Sequence, residues 1–148
     1  MSHKTVLFVD DEERILKTIR RLAHGSPFRA IFAQSGAEAL ELLEHENVQV
    51  IVTDMRMPEM TGLELLREVK ARYPKIIRVV LSGYTDITTL LKAINDGQIF
   101  RFITKPWEKQ EDLLSVIDEA LRRAEGGVPQ MSGVGADDAA GRANEEAS

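Results

Sequence analysis

The sequence contains no cysteine. That excludes disulfides, thiolate nucleophiles and cysteine metal sites. It contains no apolar run as long as a membrane span and no signal-peptide pattern, so the expectation is a cytoplasmic protein with no membrane partner. Positive charge is not in excess: 19 Lys and Arg stand against 24 Asp and Glu, a formal net charge of −5. Such a balance argues against a protein that binds nucleic acid directly by neutralising phosphate. What is present is 148 residues, 43% hydrophobic and 29% charged. This is the size and mix of one globular domain that needs no staples to fold.

The charge is unevenly spread. From Gly126 onward the chain carries Asp137, Asp138, Glu145 and Glu146 against Arg142 alone, and no Leu, Ile, Phe, Trp or Tyr. Such a stretch buries too little apolar surface to offset its ordering entropy. The expected organisation is a domain over 1–125 and a flexible acidic Gly/Ala-rich tail or linker stub over 126–148.

Within 4–125 the hydrophobic period alternates. Strands are expected at Thr5–Val9, Phe28–Ala33, Val48–Thr53, Ile76–Leu81 and Ile99–Thr104. Helices are expected at Glu12–Ala23, at Gly36–Glu44 with Ser35 as N-cap, from Leu63 to before Pro74, from Asp86 to about Asn95, and at Glu108–Ala124. Five strand–helix units imply a parallel sheet covered on both faces. The fold class is α/β, a flavodoxin-like (βα)5 doubly wound five-stranded sheet of order 2-1-3-4-5.

In such sheets ligands bind beyond the carboxyl ends of the strands, at the switch point between strands 1 and 3. Those ends carry Asp10-Asp11-Glu12, Asp54, Ser82-Gly83 and Thr104-Lys105-Pro106. Singly, Asp10 reads as a helix cap, Asp54 as a turn cap and Lys105 as a solvated strand end. Jointly they converge on one rim. Two carboxylates about 4 Å apart repel by roughly 4 kcal/mol at an effective dielectric near 20. A raised pKa, the lysine or a cation must offset this. The all-oxygen donor set suits a hard divalent cation, and no His or Cys lies there to favour zinc. His24 and His45 fall at helix C-termini on the opposite rim, where a cation is favoured by the helix dipole.

These residues resemble the receiver domain of bacterial two-component response regulators. The motifs are Asp10-Asp11-Glu12, Asp54 in Asp54-Met55-Arg56-Met57-Pro58-x-Met60-x-Gly62, Ser82-Gly83 and Lys105-Pro106, in order, over about residues 4–125. The resemblance implies that Asp54 accepts a phosphoryl group from a sensor histidine kinase or a histidine phosphotransfer protein. It implies Mg²⁺ (or Mn²⁺) held by Asp11 and Asp54 directly, by Asp10 through water and by the backbone carbonyl of Arg56. Lys105 and Ser82 would contact the phosphoryl oxygens, and Lys105–Pro106 would be cis. Phe102, three before Lys105, stands at the family's aromatic switch position; as a core residue it needs no such role. Arg56 and Tyr84 lie where water would approach an acyl phosphate, so slow self-dephosphorylation is expected.

The switched surface would be the fourth helix, fifth strand and fifth helix, signalling to a downstream protein or output domain and open to homodimer formation. The run Ala93–Trp107 resembles receivers joined to HD-type cyclic-dinucleotide phosphodiesterases, cyclases or phosphatases, so a fragment of a longer regulator is one alternative. A non-phosphorylated pseudo-receiver is another. A phosphatase with an Asp nucleophile would want a second Asp two residues on, where Arg56 stands; the expectation is a signalling domain, not an enzyme.

Overall fold

The computed structural model describes residues 4–83, 87–107 and 109–126. Five strands and five helices alternate: β1 (Thr5–Val9), α1 (Glu13–Ala23), β2 (Arg29–Ala33), α2 (Gly36–His45), β3 (Val50–Asp54), α3 (Gly62–Arg72), β4 (Ile77–Ser82), α4 (Ile87–Asn95), β5 (Arg101–Thr104) and α5 (Gln110–Gly126). All the strand pairs are parallel, and the order is β2-β1-β3-β4-β5. This is the flavodoxin-like arrangement expected from the alternation.

The central strands are apolar throughout because both faces of the sheet are covered. Along β1, Leu7 and Val9 face one cluster and Val6 and Phe8 the other. The first cluster takes Leu43 from α2, Leu65, Leu66 and Val69 from α3, and Leu90 from α4. The second takes Leu16 and Ile19 from α1 and Leu113, Ile117 and Leu121 from α5. Each fully buried Leu or Ile contributes roughly 1.5–3 kcal/mol relative to exposure.

Local chemistry sets the element ends. Ser35 caps α2 as expected, its Oγ accepting from the Glu38 amide at 3.1 Å. Thr61 and Glu64 close a capping box at the start of α3: the Glu64 amide donates to Thr61 Oγ1 and the Thr61 amide donates to Glu64 Oε1. Several boundaries differ from expectation. β5 begins at Arg101 rather than Ile99, because the Gln98 and Ile99 amides turn back to donate to the Ala93 carbonyl. Gly97, at φ 75°, makes that reversal. β3 is shifted toward its carboxyl end, so Asp54 is its last residue and pairs in register with Leu81. α5 continues through Gly126, which moves one residue of the expected tail into the helix. The expected tail from 127, with Asp86 and Glu108, lies outside the described residues.

Candidate functional site

Parallel pairing brings the carboxyl ends of β1, β3, β4 and β5 to one rim. Asp10 extends β1 by one ladder bond, its amide donating to the Ala33 carbonyl at 3.1 Å. Asp54 closes β3. Ser82 closes β4, and its carbonyl accepts from the Lys105 amide at 2.7 Å, which anchors the segment after β5. The Lys105–Pro106 peptide bond is cis.

The side chains meet across the rim. Lys105 Nζ lies 3.0 Å from Asp54 Oδ1 and 3.3 Å from Asp10 Oδ2. Asp10 is fully buried, Asp54 is 7% exposed and Asp11 is exposed. One carboxylate oxygen from each of the three lies within 4.8 Å of the others. Asp10 does not cap α1. Glu12 occupies that position, and the Glu12 amide donates to Asp10 Oδ1 at 2.9 Å, fixing the carboxylate in the pocket. Lys105 is correspondingly not a solvated strand end.

Burial is the largest influence on both buried carboxylates and pushes their pKa values up. The Glu12 amide and Lys105 restrain Asp10, while Asp11 adds to the rise. The Lys105 hydrogen bond restrains Asp54, while the Asp10 charge adds to the rise. Burial alone would lower Lys105, but the hydrogen bonds and charges of Asp54 and Asp10 outweigh it and leave the ammonium above its ordinary range. The pocket thus holds one firm positive charge against two strained negative ones, with a third carboxylate at its mouth. An all-oxygen set with a solvent-facing member fits a hard divalent cation that keeps part of its water shell.

Ser82 is buried one strand from Asp54, its Oγ donating to the Gly83 carbonyl at 3.1 Å. Arg56 is exposed in the loop after β3. Phe102, on β5 opposite Val80, is half-buried against the first cluster. With Trp107, Asp112, Ser115 and Val116 it lines a groove of about 370 Å³ between β5 and α5. Tyr84 lies outside the described residues.

One contributor, Gly62, carried no assigned role in the sequence. A Cβ on Gly62 would overlap the Asp54 carbonyl, and the Gly62 amide donates to the Met55 carbonyl at 2.8 Å. This glycine lets the start of α3 pack against the end of β3. Its signal was its place directly after Thr61 in a Thr-x-x-Glu capping box, which marks a helix start but not the approach.

A doubly wound sheet with an acidic pocket at its switch point defines a flavodoxin-like class of α/β domain. The comparisons narrow it. Residues 6–118 match the response regulator receiver domain family, and the chain belongs to that family. Over 117 residues it is 45% identical to the hydrogenase transcriptional regulatory protein HoxA of Cupriavidus necator, covering 79% of this chain and 24% of the relative. It thus spans about a quarter of that relative's length. A structure described as adenylate cyclase from Rhodopirellula baltica aligns with TM-score 0.79 and 32% identity, covering 84% of this chain and 91% of that one. The signal receiver domain of an HD domain-containing protein from Pseudomonas fluorescens Pf-5 aligns with TM-score 0.78 and 32% identity, at the same coverages.

Proposed function

We propose that this receiver domain accepts a phosphoryl group on Asp54 from a phosphohistidine of a sensor histidine kinase or histidine phosphotransfer protein in the cytoplasm. The carrying observation is the Lys105 ammonium bridging Asp54 Oδ1 and Asp10 Oδ2 inside a pocket whose mouth holds Asp11. An Asp54 carboxylate oxygen forms the new P–O bond, the P–N bond of the donor breaks, and the released imidazole takes up a proton from solvent. Lys105 and Ser82 then stabilise the phosphoryl oxygens. Asp10, Asp11, Asp54 and the Arg56 carbonyl would hold Mg²⁺, which supplies further neutralisation of the phosphoryl charge. Water attack on phosphorus returns Asp54 and inorganic phosphate; Arg56, exposed in the loop after β3, slows that step by crowding the approach.

The output is a shift in the population of the α4–β5–α5 surface, with Phe102 turning behind Ser82. Its receiver is a downstream protein or an output domain, and a homodimer through that face is a further arrangement. The relatives named as transcriptional regulators, and the neighbours named for cyclase and HD domains, support an output of the kind carried by longer regulators. Intact mass after incubation with Mg²⁺ and acetyl phosphate tests the reading. One phosphoryl adduct is expected, absent from Asp54→Asn and absent with a chelator. No adduct under conditions that label a known receiver makes the chain a pseudo-receiver.

A further inference from the structure

Cations concentrate on one helix. Arg14, Lys17, Arg20 and Arg21 are all exposed on α1. Among the described residues none of the four has a carboxylate within ion-pair distance, whereas Lys4, Arg29, Arg72, Arg101 and Arg122 each hold one and Lys105 holds two. Arg20 instead lays its guanidinium over the Phe32 ring, 4.4 Å from the centroid. Glu12 and Glu13 sit at the amino end of the helix, and Glu38 of α2 lines a groove with Lys17 and Arg20 but accepts from the Gln34 amide at 2.8 Å instead of pairing with either, so four cations outnumber the acids beside them.

The chain itself contains a complement. α1 and α5 pack side by side on the second cluster, and both run antiparallel to the strands. Their carboxyl ends therefore share the amino rim of the sheet, where Lys4 Nζ meets Glu125 Oε2 at 2.7 Å. α5 thus ends, at Gly126, on the side where α1 presents Arg20 and Arg21. Residues 127–148 hold Asp137, Asp138, Glu145 and Glu146 against Arg142. The 11 residues of α1 span only about 16 Å at 1.5 Å per residue. The chain from Gly126 to Asp137 reaches up to roughly 36–40 Å when extended. Both acidic pairs can therefore reach the whole helix. A tether of this kind raises the effective concentration toward the mM range, so contacts too weak to hold two separate molecules become populated.

We propose that the cationic face of α1 is a docking surface for this chain's own acidic segment, residues 127–148. Asp137-Asp138 and Glu145-Glu146 pair there with Arg14, Lys17, Arg20 and Arg21. The proposal does not depend on phosphoryl transfer.

The absence of cysteine allows a single nitroxide to be placed at Gly141→Cys in the full chain, with amide signals read by NMR. The expected result is selective loss of signal over Arg14–His24, exceeding that over α3 and α4 on the opposite face. Signal returns in about 1 M salt, where the screening length falls to about 3 Å. It also returns in the variant Asp137→Asn/Asp138→Asn/Glu145→Gln/Glu146→Gln, and in Arg14→Glu/Lys17→Glu, whose exposed positions leave the core intact. Loss spread evenly over both faces overturns the proposal, as does loss that survives salt or charge removal. Loss equally strong when the nitroxide sits on a separate, unenriched copy assigns the contact to a second molecule and overturns it too. Neither metal nor phosphodonor is present, so failure here and failure of the Asp54 reading are distinguishable.

Discussion

Asp10 and Asp54 carry charge where burial opposes it. Their folded-state pKa values lie above the unfolded value near 3.9, so the folded chain binds protons more tightly. Ionising them costs stability that is absent below about pH 4 and grows as pH rises through the folded pKa. Asp10→Asn removes one such charge and keeps an oxygen to accept from the Glu12 amide. The expected outcome is a higher Tm than wild type at pH 7 with metal chelated, a gap that closes as the pH falls toward 4; a gap of equal size at both pH values would assign the effect to packing. Lys105 has the opposite sign. Its raised pKa is a stabilisation complete below its unfolded value near 10.4 and lost as pH rises through the folded pKa. Lys105→Met leaves two buried carboxylates without their cation. Urea unfolding at pH 7 is expected to lose about 1–3 kcal/mol, less than a fully buried pair because the exposed part of Lys105 is solvent-screened; the loss shrinks in acid as the carboxylates protonate.

At the scale of elements, the β3–α3 junction is the tightest joint of the site. Gly62→Ala drives a methyl into the Asp54 carbonyl. Overpacking of this kind costs about 1–3 kcal/mol, and here it also displaces the end of β3. Thr61→Ala, one residue earlier, removes the cap oxygen for Glu64 and costs about 1 kcal/mol without touching Asp54. Urea midpoints of the two variants, read beside Mg²⁺ affinity, separate the effects: both are less stable, and only Gly62→Ala binds metal more weakly. The β4–α4 side is built differently. Arg78, inside β4, finds no carboxylate among the described residues but donates to the Ile76, Gly97 and Gln98 carbonyls at 2.8–3.2 Å, and its burial lowers its pKa. It ties the carboxyl end of α4 to the sheet, which leaves the Ser82 end of α4 as the part that a change at the rim can move.

At the scale of the whole molecule, the site is a by-product of a sheet covered on both faces. The two clusters on either side of the sheet hold the strands in register, and register alone puts Asp10, Asp54, Ser82 and Lys105 on one rim. A cation that binds this rim binds only the folded chain and stabilises it by mass action, about 2.7 kcal/mol at roughly 100 times Kd. For a domain of this size that raises Tm by about 5–10 °C. Saturating Mg²⁺ is expected to produce such a rise in wild type and little in Asp11→Asn. Asp11 is the informative position because it is exposed, so its substitution removes a carboxylate from the proposed cation site without opening the core.

The order of elements was legible along the chain, because a buried parallel strand is an unbroken apolar run and its covering helix repeats every 3.6 residues. So was the polar residue at each strand end, and with it the family. Element ends were less so. The start of β5 depends on which carbonyl captures the Gln98 and Ile99 amides, and that carbonyl belongs to α4. The approach of Gly62 to Asp54 and the carbonyl cradle around Arg78 likewise arise only when separate elements pack. Lys105 and Asp10 stand 95 residues apart in the chain. Their residue types marked them as candidates, but only the closed sheet could decide that one ammonium would serve two buried carboxylates. Charge pairing is a matter of distance through space, and local periodicity carries no information about it.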